Sequence, residues 1–199
     1  MLKPAPGQCS CRHRSAGLGL SHATYGPFLG DQRAEQKAAA KFVKELQAAS
    51  KAAIKALQDA KKPDCARLFG LTPGSPAPAP LLNSLLSSDP AVGILIVDDI
   101  ASPPGQVTSA TTSAFDPINV PIGNGATQRR YRFVEVTLND LAGTFVSGST
   151  QDQAITLLHE LGHVYSYLFG PESTKITDDY GKLTASQNNT ALVKSDCFK

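Results

Sequence analysis

Apolar and polar positions recur along this chain with two periods, and the periods mark out most of its elements. From Asp31 to Lys61 the sequence is rich in Ala, Lys, Gln and Glu and holds neither Gly nor Pro. Within it Val43, Leu46, Ser50, Ile54 and Leu57 fall at i, i+3, i+7, i+11 and i+14, the stripe of a helix with one buried face. Pro63 ends that helix. "LTPGSPAPAP" (Leu71–Pro80) reads as a stiff extended linker, followed by a short helix around Leu81–Ser87. "VGILIV" (Val92–Val97) is an apolar run of strand length. Ala101–Ala126 is dominated by turn residues, with Pro-Pro-Gly, many Ser and Thr, and "IGNG", and predicts a long irregular loop. Period two returns in "YRFVEVTLN" (Tyr131–Asn139), a strand with Tyr, Phe, Glu and Thr on one face and Arg, Val, Val and Leu on the other. Gln151–Phe169 predicts a second strong helix, stopped by Gly170-Pro171. The remainder to Lys199 reads as irregular, apart from a short helix near Asn189–Lys194.

Residues 1–30 are rich in Gly, Pro and Ser without periodicity and predict a mostly disordered linker. Residues 31–199 then form a single domain, long enough to bury a real core. The expected fold class is α+β: a long N-terminal helix, a small sheet and a helix that carries the chemistry. Net charge is +2, with the lysines mostly on one helix, so no nucleic-acid partner is expected. The longest apolar run, Ala91–Val97, is about a third of the ~20 residues a membrane span needs. The first 30 residues also lack the apolar core of roughly 7–15 residues that marks a secretory signal. A monomer, or the tail domain of a larger protein, is the expected state.

Four cysteines stand at positions 9, 11, 65 and 197. Cys9, Cys11 and His13 have the makings of a metal cluster but no fourth partner in view. A bridge between Cys65 and Cys197 would tie a loose C-terminal tail to the body, and would imply an oxidising compartment. The alternative is two unrelated reduced thiols.

The candidate chemistry lies in "LLHELGHVYSYLFG" (Leu157–Gly170). His159 and His163 are four apart, so on a helix they stand one above the other on a single face. Glu160 points about 100° away, beside the same point without competing to ligate. This H-E-x-x-H arrangement suits two zinc ligands and a general base. Leu157, Leu158, Leu161, Val164 and Leu168 make the surroundings apolar, where an unpaired carboxylate costs several kcal/mol. A bound cation offsets that cost. Gly162 costs roughly 1 kcal/mol relative to Ala inside a helix, which is tolerable if another segment passes close there. Catalytic zinc keeps three protein ligands and one water. The acids downstream that qualify for the third place are Glu172, Asp178, Asp179 and Asp196.

"ITDDYG" (Ile176–Gly181) after the HExxH helix resembles the aspartate-type zincin metallopeptidases, in which a Thr-x-Asp segment and a Tyr-Gly follow the histidines. The resemblance covers about the last fifth of the chain and its spacing is longer than the family's. It implies a zincin-like fold and Zn2+ as cofactor, and it leaves open which aspartate is the third ligand, Asp179 being favoured and Asp178 second. "KKPDCARLFG", "ITLLHELGHVYSYLFGP" and "SQNNTALVKSDCF" also resemble zincin-type domains at the C-terminal ends of bacterial RHS-repeat surface proteins. That likeness implies a bacterial secreted or cell-surface protein and supports the Cys65–Cys197 pairing.

The expected activity is zinc-dependent hydrolysis of a peptide or protein substrate, with Glu160 as base. Tyr180, or Tyr165, is expected to hydrogen-bond the oxyanion, and the strand Tyr131–Asn139 to hold the substrate extended. The alternatives are a non-catalytic zinc-stabilised interaction domain and a toxin-like tail of a larger exported protein.

Overall fold

The computed structural model describes residues 32–102, 106–141, 143–180 and 182–199. The expected linker, with Cys9, Cys11 and His13, lies outside the described residues. Helix α1 spans Gln32–Gln58, α2 Pro63–Ala66 and α3 Pro78–Leu86. Strand β1 spans Gly93–Asp98, β2 Ala110–Gly123 and β3 Ala126–Asn139. Helix α4 spans Thr150–Phe169 and α5 Leu183–Phe198. The α+β class is as expected, with a small mixed sheet among the described residues.

The buried stripe of α1 is Leu46, Ala49, Ser50, Ala53, Ala56 and Leu57, with Ile54 only half-buried. Its alanines bring the α1 backbone close to α4, against which it packs. α4 is opened by a capping box: the Ser149 side chain accepts from the Asp152 amide, and the Asp152 carboxylate accepts from the Ser149 amide. Its inward face, from Ile155 through Leu158 and Leu161 to Tyr165, fills the centre of the core.

The sheet has the order β1-β3-β2, with β1 parallel and β2 antiparallel to β3. Val134, Val136 and Leu138 of β3 are fully buried, while Phe133, Glu135 and Thr137 lie on the half-buried opposite face. The two-faced strand is therefore as expected, but it begins five residues earlier and occupies the middle of the sheet.

Two elements differ from the sequence reading. Residues 110–123, expected to be loop, are the edge strand β2. Pro117 and Pro121 are compatible with an edge because, among the described residues, one side of the strand has no partner strand to receive a hydrogen bond. No residue of β2 is fully buried, so it carries no apolar alternation strong enough to read. The C-terminal stretch, expected to be mostly irregular, is the 16-residue helix α5. Its buried stripe is Asn189, Val193 and Cys197 at i, i+4 and i+8, which is an amide, one valine and a disulfide cysteine. A hydropathy pattern does not reveal such a face.

Cys65 of α2 and Cys197 of α5 form the expected disulfide, across 132 positions of sequence. Nearby, Leu68–Leu71 runs beside Ser173–Lys175. The Leu71 amide donates to the Ser173 carbonyl at 3.0 Å and the Lys175 amide to the Leu68 carbonyl at 2.9 Å. This pairing draws the chain that leaves α4 back across the helix. No helix of the described residues is long and apolar enough to cross a membrane.

Candidate metal centre

His159 and His163 project from one face of α4, and their Nε2 atoms stand 3.2 Å apart. The carboxylate of Asp179, 20 residues after His159, spans the pair. Its Oδ2 lies 2.8 Å from His159 Nε2 and its Oδ1 3.1 Å from His163 Nε2. All the ligand atoms lie within 4.8 Å of one another, and these side chains are 8%, 12% and 13% exposed. This group can hold a metal ion.

Gly162 explains how Asp179 arrives there. A Cβ on Gly162 would overlap the side chain of Ile176, which is itself buried. The bare backbone leaves the groove in which Ile176 lies, as the sequence suggested, and the following residues reach the histidines. Asn189 of α5 then holds that segment. Its Nδ2 donates to the Thr177 carbonyl at 2.8 Å and to Asp179 Oδ2 at 3.1 Å, and its Oδ1 accepts from the Thr177 amide at 3.1 Å. Thr190, the next residue, lies 3.0 Å from His159 Nδ1. With Nδ1–H donating to Thr190, the His159 Nε2 lone pair is left for a ligand. Asn189 and Thr190 were not singled out from the sequence. The one sign available was "QNNT" in a segment already noted for its resemblance, because a polar side chain at a buried helix position adds nothing to the apolar repeat.

Burial disfavours the charged form of His163, yet the Asp179 carboxylate, with Glu160 and Asp178, outweighs it and raises its pKa above the usual 6.5. Burial likewise opposes ionisation of Asp179. The hydrogen bonds and charges of His159 and His163 win, and hold its carboxyl well below the usual range. The site therefore favours a carboxylate facing positive charge.

The donor set fits a small divalent cation. Two ligand atoms about 2.0–2.1 Å from a tetrahedral zinc lie roughly 3.3 Å apart; the Nε2 atoms are 3.2 Å apart, while Asp179 is drawn closer, to 2.8 Å and 3.1 Å, by direct hydrogen bonds to the imidazoles. Thr190 behind His159 and Asn189 behind Asp179 hold the two donors in place, as residues around bound metals commonly do. Two imidazoles and a carboxylate do not by themselves select the ion.

Glu160 is buried beside this group, and its Oε2 accepts a hydrogen bond of 2.6 Å from Thr112 Oγ1 of β2. Asp178, the second choice for third ligand, instead faces outward and pairs with Lys182 at 3.2 Å, 68% exposed. Tyr180 is 89% exposed. Tyr165 is buried and donates its hydroxyl to the Pro76 carbonyl at 2.6 Å. Neither tyrosine adjoins the histidines through a hydrogen bond. Tyr167, four residues after His163, lies on their face of α4, with its ring edge-on to Tyr131 at 5.5 Å. Burial raises its phenol pKa, and the charges of Asp178, Glu160 and Asp179 add to that.

Comparison of the chain with protein-family models, with curated proteins and with solved structures returns no match.

Proposed function

We propose that this chain is a zinc-dependent metallopeptidase of zincin-like fold, with His159, His163 and Asp179 as the metal ligands and Glu160 as general base. The observation that carries the reading is the convergence of two helical imidazoles and one carboxylate, with a buried glutamate at the next helix position. Asp179 rather than Asp178 is the third ligand, because it alone of the two meets the histidines. Held by His159, His163 and Asp179, zinc would supply a Lewis acid and would lower the pKa of a bound water to about 7. With the ion bound, Glu160 would be placed to take a proton from that water and pass it to the leaving amine. Tyr167 replaces Tyr180 and Tyr165 as the phenol that hydrogen-bonds the developing oxyanion.

The zincin resemblance implies a substrate held along an edge strand. β3 is flanked on both sides, so β2, whose Thr112 touches Glu160, takes that role. An extended peptide added to β2 gains main-chain hydrogen bonds for affinity. The disulfide and the RHS-type resemblance together support a bacterial secreted or cell-surface setting.

The test is the metal content of the purified full chain together with its cleavage of a peptide library. About one zinc per chain, lost in His163→Ala and kept in Glu160→Gln, with turnover absent from both variants, is the expected result. Zinc without turnover in the unaltered protein would reject the peptidase in favour of a metal-stabilised domain. Absence of any metal after zinc is supplied would reject both.

A further inference from the structure

Thr112 stands between Ala110 and Ala114 on the face of β2 that lies toward α4, in register with the buried Val136. Ala110, Thr112 and Ala114 are all half-buried. Valine is isosteric with threonine, favours strands as well, and carries no hydroxyl to desolvate. The hydroxyl at this place therefore needs a partner, and its partner is Glu160 Oε2 at 2.6 Å. A hydroxyl that donates to one carboxylate oxygen leaves the other as the free acceptor. It also fixes the rotamer of a side chain that would otherwise lose several torsions' freedom in the reaction.

We infer that Thr112 is a positioning residue for the general base: it occupies Oε2 of Glu160 so that Oε1 alone faces the reacting water. This rests on the metallopeptidase reading above. The edge strand thus has two parts in the site, since the strand proposed to align the substrate also sets the orientation of the base. A peptide seated on β2 and the base are then held in one register by a single strand. Glu160 comes from α4 and the substrate from solvent, and β2 is the element proposed to meet both.

Two measurements on the full chain separate this inference from the reading beneath it. The first is a stability cycle in the metal-free protein: Thr112→Val in the natural background and in Glu160→Met. A loss of about tenfold in the folding equilibrium constant with Glu160 in place, and none in the Glu160→Met background, is expected of a hydrogen bond to a charged group. Equal losses in the two backgrounds would overturn the inference. The second is zinc-loaded turnover. Thr112→Val is expected to lower kcat about tenfold or more with KM and zinc content unchanged, and Thr112→Ser to restore it. A kcat unchanged by Thr112→Val, or a loss that Thr112→Ser does not recover, would overturn it as well. Coupling in the cycle combined with no turnover in the unaltered protein would make the contact purely structural, and the metallopeptidase reading would fail with it.

Discussion

Ile176 lies directly against the bare backbone of Gly162, in the turn of α4 between His159 and His163. Glycine is poor in a helix interior, and an exposed Gly→Ala change there gains roughly 1 kcal/mol. Here the opposite is expected. Gly162→Ala has to displace the buried Ile176, at a cost of about 1–3 kcal/mol from overpacking. The same displacement draws Asp179 away from the histidines. Denaturant unfolding and zinc titration of the variant should both show losses. A more stable variant with unchanged zinc affinity would mean that the return segment does not depend on this contact.

Asp178 and Asp179 are neighbours in sequence with different surroundings. Asp179→Ala is expected to abolish tight zinc binding, whereas Asp178→Ala, which removes an exposed pair with Lys182, a long hydrogen bond from the Tyr180 amide and a more distant charge, should leave it within a few-fold. Asn189→Ala falls between them, at roughly 10–100-fold, as a residue that orients a ligand. Isothermal titration with zinc orders the three variants. The reverse order for the two aspartates would overturn the ligand assignment.

The metal-free and zinc-bound proteins should respond oppositely to pH. His163 has its pKa raised above 6.5, so its contribution is full below that value and is lost as pH rises through the folded-state pKa. Asp179 has its pKa lowered from 3.8, so its contribution is present above that value and is lost only as pH falls through the lower folded-state pKa. The metal-free pair thus stabilises most between about pH 4 and 6.5. Zinc needs the histidines neutral and releases their protons, so its stabilisation grows from pH 6 to 8. Melting temperatures across this range, with and without zinc, should therefore diverge as pH rises. A zinc increment that shrinks toward pH 8 would argue against histidine ligation.

The disulfide closes a loop of 132 positions, for which chain entropy alone corresponds to about 5 kcal/mol. Replacing both cysteines with serine should lower stability by about 2–5 kcal/mol in denaturant unfolding. It should also weaken zinc binding, because Cys197 anchors the helix from which Asn189 and Thr190 reach the site. Destabilisation with zinc affinity intact would show that the first turns of α5 are held independently of its end.

The sequence by itself determined whatever depends on local periodicity. The helical spacing of His159 and His163 puts two imidazoles on one face wherever α4 sits, so the core of the candidate metal centre was legible. The apolar stripe of α1 marked most of its buried face, and the alternation of β3 marked a strand with two unlike faces, because burial of an apolar face leaves a repeat in the chain. The Cys65–Cys197 pairing was inferable because a tail cysteine has little else to do. Only tertiary structure decided which elements meet. β2 is held at an edge by main-chain pairing to β3, which needs no apolar repeat, and so it read as loop. α5 buries an amide and a cysteine where a pattern search looks for leucine. The choice between Asp178 and Asp179, the partnership of Thr112 with Glu160 and the support from Asn189 and Thr190 all join residues distant in sequence. Such contacts follow from the packing of α4 against β2 and α5, and no local repeat in the chain encodes them.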